Sequence, residues 1–476
     1  MLIAPTRAEM VMAEPQPARA RAAKPAALAI ITASVGASLA LVGLDLRQAI
    51  VLTIFTLEMV GIILYWELKL AFATAGVMLL FLTGSLNPEH FAKFAYVDVL
   101  LFLLCMMIVV KFLEDRGFFE LMIHYLTAKV RSAYLLLIVL MFMTAILSSL
   151  VGVITAALFM VPIMLRLTLR YHVNSTPFIF MIVFAANVGS GATPVGSPVG
   201  VMFALKVGLT FSEFLRWSAP ISFLALGVIV AYCFAVFSRD LRELNERIKV
   251  VGPGLRGEVA LSRREVLECA ALMGAVILMI GTHRMVENLL ALEEGTALIV
   301  AGMVGAAAVL FIERRRLRDV VEAGVDWYTL LFFAFLFASV GALENAGVDE
   351  LLSHGVFELC GGDMLQLLML LGWACGFLSA FLDNVLVAAF FISVIRKLEL
   401  AGVNVYPLWW SVLFAATYFG NATVIASTAN IVAVSMLESR KAGRITFAEW
   451  VKYGLTVSVI TLAVALVLLC AQAPSA

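Results

Sequence analysis

Eleven apolar runs, each long enough to cross the roughly 30 Å hydrocarbon core of a bilayer, fix what this chain can become. They are Ala26 to Leu44, Gln48 to Tyr65, Leu70 to Leu86, Val97 to Leu113, Phe178 to Val207, Ala219 to Phe237, Val266 to Thr282, Gly295 to Ile312, Asp326 to Leu343, Leu408 to Leu437 and Gly454 to Cys470. With 63% hydrophobic and 14% charged residues, the chain exceeds the apolar share of a soluble globule. The expectation is an all-α polytopic membrane protein. Its charge balance, 33 basic against 33 acidic residues, gives no sign of a nucleic-acid partner. The six cysteines lie scattered in apolar segments without metal-ligand spacing and read as small hydrophobes. The first 25 residues, rich in Ala, Pro and Arg, read as a disordered cytoplasmic tail rather than a cleavable signal peptide.

Two further apolar regions, Tyr134 to Leu165 and Leu365 to Ile395, are interrupted near their middles, the first by Ser148, Ser149 and Gly152, the second by Ser379, Asp383 and Asn384. Each reads as a re-entrant hairpin. A carboxylate at membrane depth costs about 3 kcal/mol or more and is kept where it faces protein or water, so Asp383 is a candidate for an ion or substrate path. The plainer alternative is that it caps a helix at the hairpin apex.

Basic segments alternate along the chain. Lys111 to Arg131, Arg166 to Arg170, Arg239 to Arg264, Glu313 to Arg318 and Arg440 to Arg444 fall on one side, with Glu344 to Asp363, which has no Lys or Arg, on the other. The positive-inside rule then puts the N-terminus in the cytoplasm and the C-terminus outside, in the cell (inner or plasma) membrane.

Landmarks recur at nearly one period, 228 to 236 residues apart. Val97-Asp98 answers to Val325-Asp326, Leu147-Ser148 to Leu378-Ser379, Ala192-Thr193 to Ala422-Thr423, and Thr210-Phe211-Ser212-Glu213 to Thr446-Phe447-Ala448-Glu449. This predicts two repeats, inverted in the membrane, an arrangement that puts a transport site at their interface. The expected divisions are the tail, N-terminal scaffold spans 26–94, repeat 1 at 95–238, a cytoplasmic linker at 239–265, linking spans 266–324 and repeat 2 at 325–476.

Within the repeats, Asn187 to Pro198 and Gly420 to Asn430 are runs of Gly, Pro and small polar residues that cannot hold a continuous helix. Unwound backbone at this depth lines a cavity or is buried, and its carbonyls and hydroxyls suit a hard cation. The candidate binding residues are therefore Asp383, Asn384, Ser379, Asn421, Thr423, Ser427, Thr428 and Asn430 from the second half, with Ser149, Asn187, Ser190, Thr193 and Ser197 from the first.

The motifs LSAFLDN (Leu378 to Asn384), GNATVIASTAN (Gly420 to Asn430) and SGATPVGSPVG (Ser190 to Gly200) resemble the ion transporter superfamily: NhaD-type sodium/proton antiporters, ArsB-type arsenite permeases and citrate-transporter-like proteins. The resemblance runs from about Val97 to the C-terminus. It implies an elevator-type fold of eleven spans and a homodimer. The hairpin-apex pair of that superfamily falls on Asp383 and Asn384, and its loop ligands on Thr423, Ser427 and Asn430. Two departures stand out. The first hairpin has Gly152 and Val153 where a polar pair is expected, and its loop reads Gly196-Ser197-Pro198-Val199-Gly200 without a carboxylate or a final amide.

The expected function is ion-coupled secondary transport, read as sodium/proton exchange with Na⁺ and H⁺ competing for Asp383. The coordination would be completed by Asn384, Thr423, Ser427 and Asn430. An arsenite or small-anion permease of the same fold is the alternative, and a non-transporting paralogue the third. Nothing points to an enzyme or to a cofactor beyond the coupling ion. Asp98 and Asp326 read as helix caps. Glu58, Glu67 and Lys69 read as side chains that reach water at a turn. Glu114 to Arg131 and Asp349 to Leu359 read as amphipathic arms on the bilayer surface.

Overall fold

The computed structural model describes residues 18–41, 44–119, 121–122, 132–251 and 262–472, and every regular element among them is helical. The chain divides into two compact units. Unit 1 is Met1–Val97 with Leu331–Leu359, and unit 2 is Asp98–Leu330 with Cys360–Ala476.

Unit 1 opens with α1 (Ala18–Leu41), α2 (Leu46–Leu64), α3 (Lys69–Leu82) and α4 (Pro88–Phe94). Helix α1 begins at Ala18, ahead of the expected start at Ala26, so the last part of the supposed tail is helical; residues 1–17 lie outside the described residues. The Asn87 side chain caps α4 by accepting from the His90 amide at 2.7 Å. The sequence placed Glu58 and Lys69 in water, and the structure corrects this: they are 1% and 5% exposed. Glu58 falls on the buried face of α2, and the Lys69 ammonium lies 4.8 Å from the Trp66 ring centroid and 4.6 Å from that of Phe332.

In unit 2 come α5 (Val97–Asp115), α6 (Ala133–Val151), α7 (Val153–Arg170), α8 (Thr176–Gly189), α9 (Pro198–Val207) and α10 (Phe211–Val236). Then follow α11 (Ser238–Val251), α12 (Arg263–Leu290), α13 (Thr296–Ile312) and α14 (Leu317–Gly324). Helix α15 (Trp327–Asn345) passes from unit 2 into unit 1, where α16 (Val348–Cys360) follows it. Thus Leu331–Leu359, which the sequence assigns to the second repeat, is compact with the N-terminal helices, through ring contacts such as Phe91–Phe335 and Tyr96–Phe337. The remainder of unit 2 is α17 (Met364–Ser379), α18 (Asn384–Leu400), α19 (Tyr406–Tyr418), α20 (Thr428–Ser439) and α21 (Phe447–Gln472). Half of the expected first arm, 123–131, and part of the linker, 252–261, lie outside the described residues, while 238–251 forms α11. In the second arm Asp349 is buried.

Among the described residues, seven helices are long and apolar enough to cross a membrane alone, or eight if the bent pair α4–α5 counts as one span. The expected eleven also counts shorter apolar helices, among them α8 and α13, and leaves out the hairpin arms α6 and α7, which are two of these seven. Both hairpin interruptions fall where the sequence puts them. However, the arms of the first, α6 and α7, have 19 and 18 residues, or about 28 and 27 Å, and each is as long as a span.

Helices α8 and α19 form the centre of unit 2: every residue of α8, and of α19 from Pro407 to Tyr418, is buried. Small residues bring the other helices onto them. A Cβ at Gly189 would stand 2.4 Å from the Ala145 Cα, and one at Gly454 of α21 would stand 2.1 Å from the Asn421 carbonyl oxygen. The last helix of each repeat starts alike, because Thr210 Oγ1 accepts from the Glu213 amide at 3.2 Å and Thr446 Oγ1 from the Glu449 amide at 3.2 Å. Asp326 caps α15 as expected, accepting from the Thr329 amide at 3.0 Å. Asp98, by contrast, lies inside the first turn of α5 and pairs with Lys206 at 2.8 Å.

Gly454→Ala is expected to destabilise the protein by about 1–3 kcal/mol, since the Asn421 carbonyl is backbone and cannot move aside cheaply. Gly227→Ala in α10, where an added Cβ meets nothing within 4 Å, is the control and should be neutral or slightly stabilising. Thermal unfolding of the two variants in detergent checks the difference.

Candidate transport site

The site is built from two hairpin tips and two broken helices, all in unit 2. Helix α6 ends at Gly152, whose φ of +98° belongs to a region open to glycine. The next amide, Val153, donates to the Gly196 carbonyl at 3.1 Å. Helix α8 stops at Gly189, and turns run through Ser190–Ser197 before α9 starts. In the second half α19 stops at Tyr418, and two short 3₁₀ turns, Phe419–Asn421 and Val424–Ala426, lead into α20.

The same two hydrogen bonds fasten each tip to its own broken helix. Ser148 Oγ donates to the Ala186 carbonyl at 2.6 Å, and Ser379 Oγ donates to the Ala416 carbonyl at 3.1 Å. The spacings, 379 − 148 = 231 and 416 − 186 = 230, are the repeat period. Likewise Thr193 Oγ1 donates to the Ser149 carbonyl, and Thr423 Oγ1 to the Ala380 carbonyl at 2.6 Å. The hydroxyl hydrogens of Ser149 and Ser190 go to the carbonyls of Ile146 and Asn187, both at 2.7 Å. These hydroxyls therefore hold freed backbone, and only their lone pairs remain to face a solute.

Between the halves stands a knot of three buried amides. Asn187 Nδ2 donates to Asn421 Oδ1 at 2.8 Å and to Asn430 Oδ1 at 2.9 Å. Asn430 Nδ2 donates to the Gly420 and Thr423 carbonyls at 2.7 and 2.8 Å. The Asn421 carbonyl accepts from Trp450 Nε1 at 2.9 Å, while Asn421 Nδ2 finds no acceptor. The first repeat has Gly200 at the place of Asn430, where a Cβ would already stand 2.9 Å from the Thr193 carbonyl oxygen.

Asp383 is the N-cap of α18. Its carboxylate accepts from the Val385 amide at 2.9 Å, the arrangement named above as the plainer alternative, and it is half-buried, as is Asn384. Thr423 anchors Ala380, three residues ahead of Asp383, so hairpin tip and second loop are neighbours. Ser427 is the N-cap residue of α20 and Thr428 its first, half-buried residue. At the matching place of the first hairpin, Gly152 has no side chain and α7 begins without a side-chain cap. Ser197 caps α9, accepting from the Gly200 amide at 3.2 Å.

A cleft of about 90 Å³ opens at this first tip, lined by Phe102 and Met106 of α5, by Gly152 and Val153, and by Ser197 and Val201. The sequence did not reveal that α5 supplies its wall. An apolar helix with ordinary spacing carries no mark of the cavity it borders.

Comparison with known proteins supports the fold and the class. Residues 50–358 and 289–475 match the family described as citrate transporter (CitMHS). An uncharacterized transporter of Mycobacterium tuberculosis is 31% identical over 386 residues, covering 78% of this chain and 85% of its own. The P protein of Homo sapiens is 23% identical over 454 residues, covering 78% of this chain and 53% of its own. Among solved structures, the Alcanivorax borkumensis YdaH transporter has a similar fold, with a TM-score of 0.53 at 16% identity, over 84% of this chain and 89% of that one. The broken, paired helices and the matches to transporters along most of the length agree: the chain belongs to the citrate transporter (CitMHS) family of membrane transporters, within the ion transporter superfamily.

Proposed function

We propose that the protein is a secondary transporter that carries a small anion across the membrane against or along an ion gradient, with the solute's negative group lying in the cleft at Gly152. What supports this is that two helices, α7 and α9, begin at that cleft with no acidic side chain at either start. A helix N-terminus carries about half a positive charge, which favours an anion; the Val153 and Gly200 amides are already taken by the Gly196 carbonyl and Ser197, so the attraction rests on that charge and on the other first-turn N–H groups. The second hairpin supplies its own negative charge at the equivalent position, through Asp383. In the first, the solute would supply it. The apolar wall of Phe102 and Met106 excludes water and strengthens that attraction. The family's description as citrate transporters is in line with an anion.

The second reading is sodium/proton exchange at Asp383, favoured by a half-buried carboxylate inside an apolar stretch. Asn384, Thr423, Ser427 and Asn430 would then contribute oxygens. The Asn430 oxygen already accepts from Asn187 and would have to be shared.

Flux in proteoliposomes separates the two. Under the anion reading, citrate or arsenite uptake is expected, and Ser197→Asp should lower it at least tenfold, a change of about 1.4 kcal/mol, by putting a like charge at the cleft. Aspartate caps a helix as well as serine does, so the variant should fold. Asp383→Asn likewise keeps the cap of α18. It should leave anion uptake within about twofold if the first reading holds, and abolish Na⁺-driven proton movement if the second does.

A further inference from the structure

One carboxyl group in unit 1 has no part in the transport site. Glu58 lies on the buried face of α2 with Val51, Ile54 and Ile62, and neither of its oxygens has a hydrogen-bond partner. Helix α3 makes room for it: a Cβ on Gly76 would stand 2.5 Å from Oε2. From α15 the Ser339 hydroxyl, fully buried and without another partner, faces the carboxyl group.

The charged groups on the neighbouring elements are engaged elsewhere. On α1, Lys24 stands 5.4 Å from the Tyr65 ring centroid, and Lys69 at the start of α3 lies between the Trp66 and Phe332 rings. Arg47 of α2 is exposed at the far end of that helix. Glu67 before α3, Glu344 of α15 and Asp349 of α16 have interactions of their own.

A bare carboxylate in such surroundings is strongly unfavourable, because a single hydroxyl, that of Ser339, and no cation cannot offset the loss of water. A neutral acid needs only one acceptor for its proton, and Ser339 Oγ supplies it. We propose that Glu58 is a proton-binding site of unit 1, formed by α2, α3 and α15 and separate from the hairpin carboxylate. In the packed unit the carboxyl group holds its proton, and a small side-chain turn lets it donate that proton to Ser339 Oγ. The proton leaves to water, giving carboxylate and hydronium, only when α3 or α15 gives way enough to admit that water. Proton occupancy at Glu58 and the packing of unit 1 are thus linked. This inference stands whether or not an anion lies at Gly152.

Infrared difference spectra of the full chain in lipid vesicles, taken from neutral to alkaline pH, test it. The expected result is a protonated-carboxyl carbonyl band that outlasts the pH at which solvent-exposed carboxyl groups ionise, and that disappears reversibly at higher pH. It should be missing in Glu58→Gln, retained in Asp383→Asn, and shifted in frequency but not lost in Ser339→Ala. If Glu58→Gln does not accumulate, the Ser339→Ala shift assigns the band. The proposal is overturned if no such band exists, if it survives in Glu58→Gln, or if it vanishes together with the exposed carboxyl groups.

Discussion

Carbonyl groups freed inside an apolar protein must find donors, and the architecture of unit 2 depends on how this is met. Two helices break near the middle, and the broken ends are not left to water. Side chains at the breaks serve the backbone first: Ser148 and the candidate ligands Ser379, Thr193 and Thr423 each donate to a carbonyl of a neighbouring segment. An unsatisfied buried carbonyl costs about 1–3 kcal/mol, so these bonds are a condition of keeping the helices interrupted. The chemistry of the site is what remains after this demand is met: lone pairs, helix starts and one capping carboxylate.

The same demand explains why the two halves are alike in their stitching and unlike at their tips. Bonds that hold backbone recur at the repeat period, because both halves contain the same break. The residues at the tips and loop ends differ. Asp383 answers to Gly152, and Asn430 to Gly200. The two halves share a frame, and the side chains of the candidate site differ within it.

Much of this was legible in the chain. Apolar runs, the Gly-rich interruptions and the Thr-x-x-Glu starts are local patterns, and the structure puts the breaks at Gly152, at 190–197 and after Tyr418 as those patterns require. What could not be read depends on partners remote in sequence. Asn187 meets its two amide partners 234 and 243 residues later. Glu58 looked able to reach water because it lies close to a turn. Its burial follows from Gly76 opposite and Ser339 on a helix nearly three hundred residues away, neither of which marks itself in the sequence. The cleft escaped for the same reason, since α5 reads as an ordinary apolar span.

The asparagine knot has a mechanical consequence. Its bonds join the end of α8 to the turn after α19 and to the start of α20, and separating them would strand buried amide groups. The end of α8 and the second break are thereby tied into one piece, and any rearrangement that parts them must first break these bonds. Local give within unit 2 is cheaper outside the clasp, in the segments that lead to and from it.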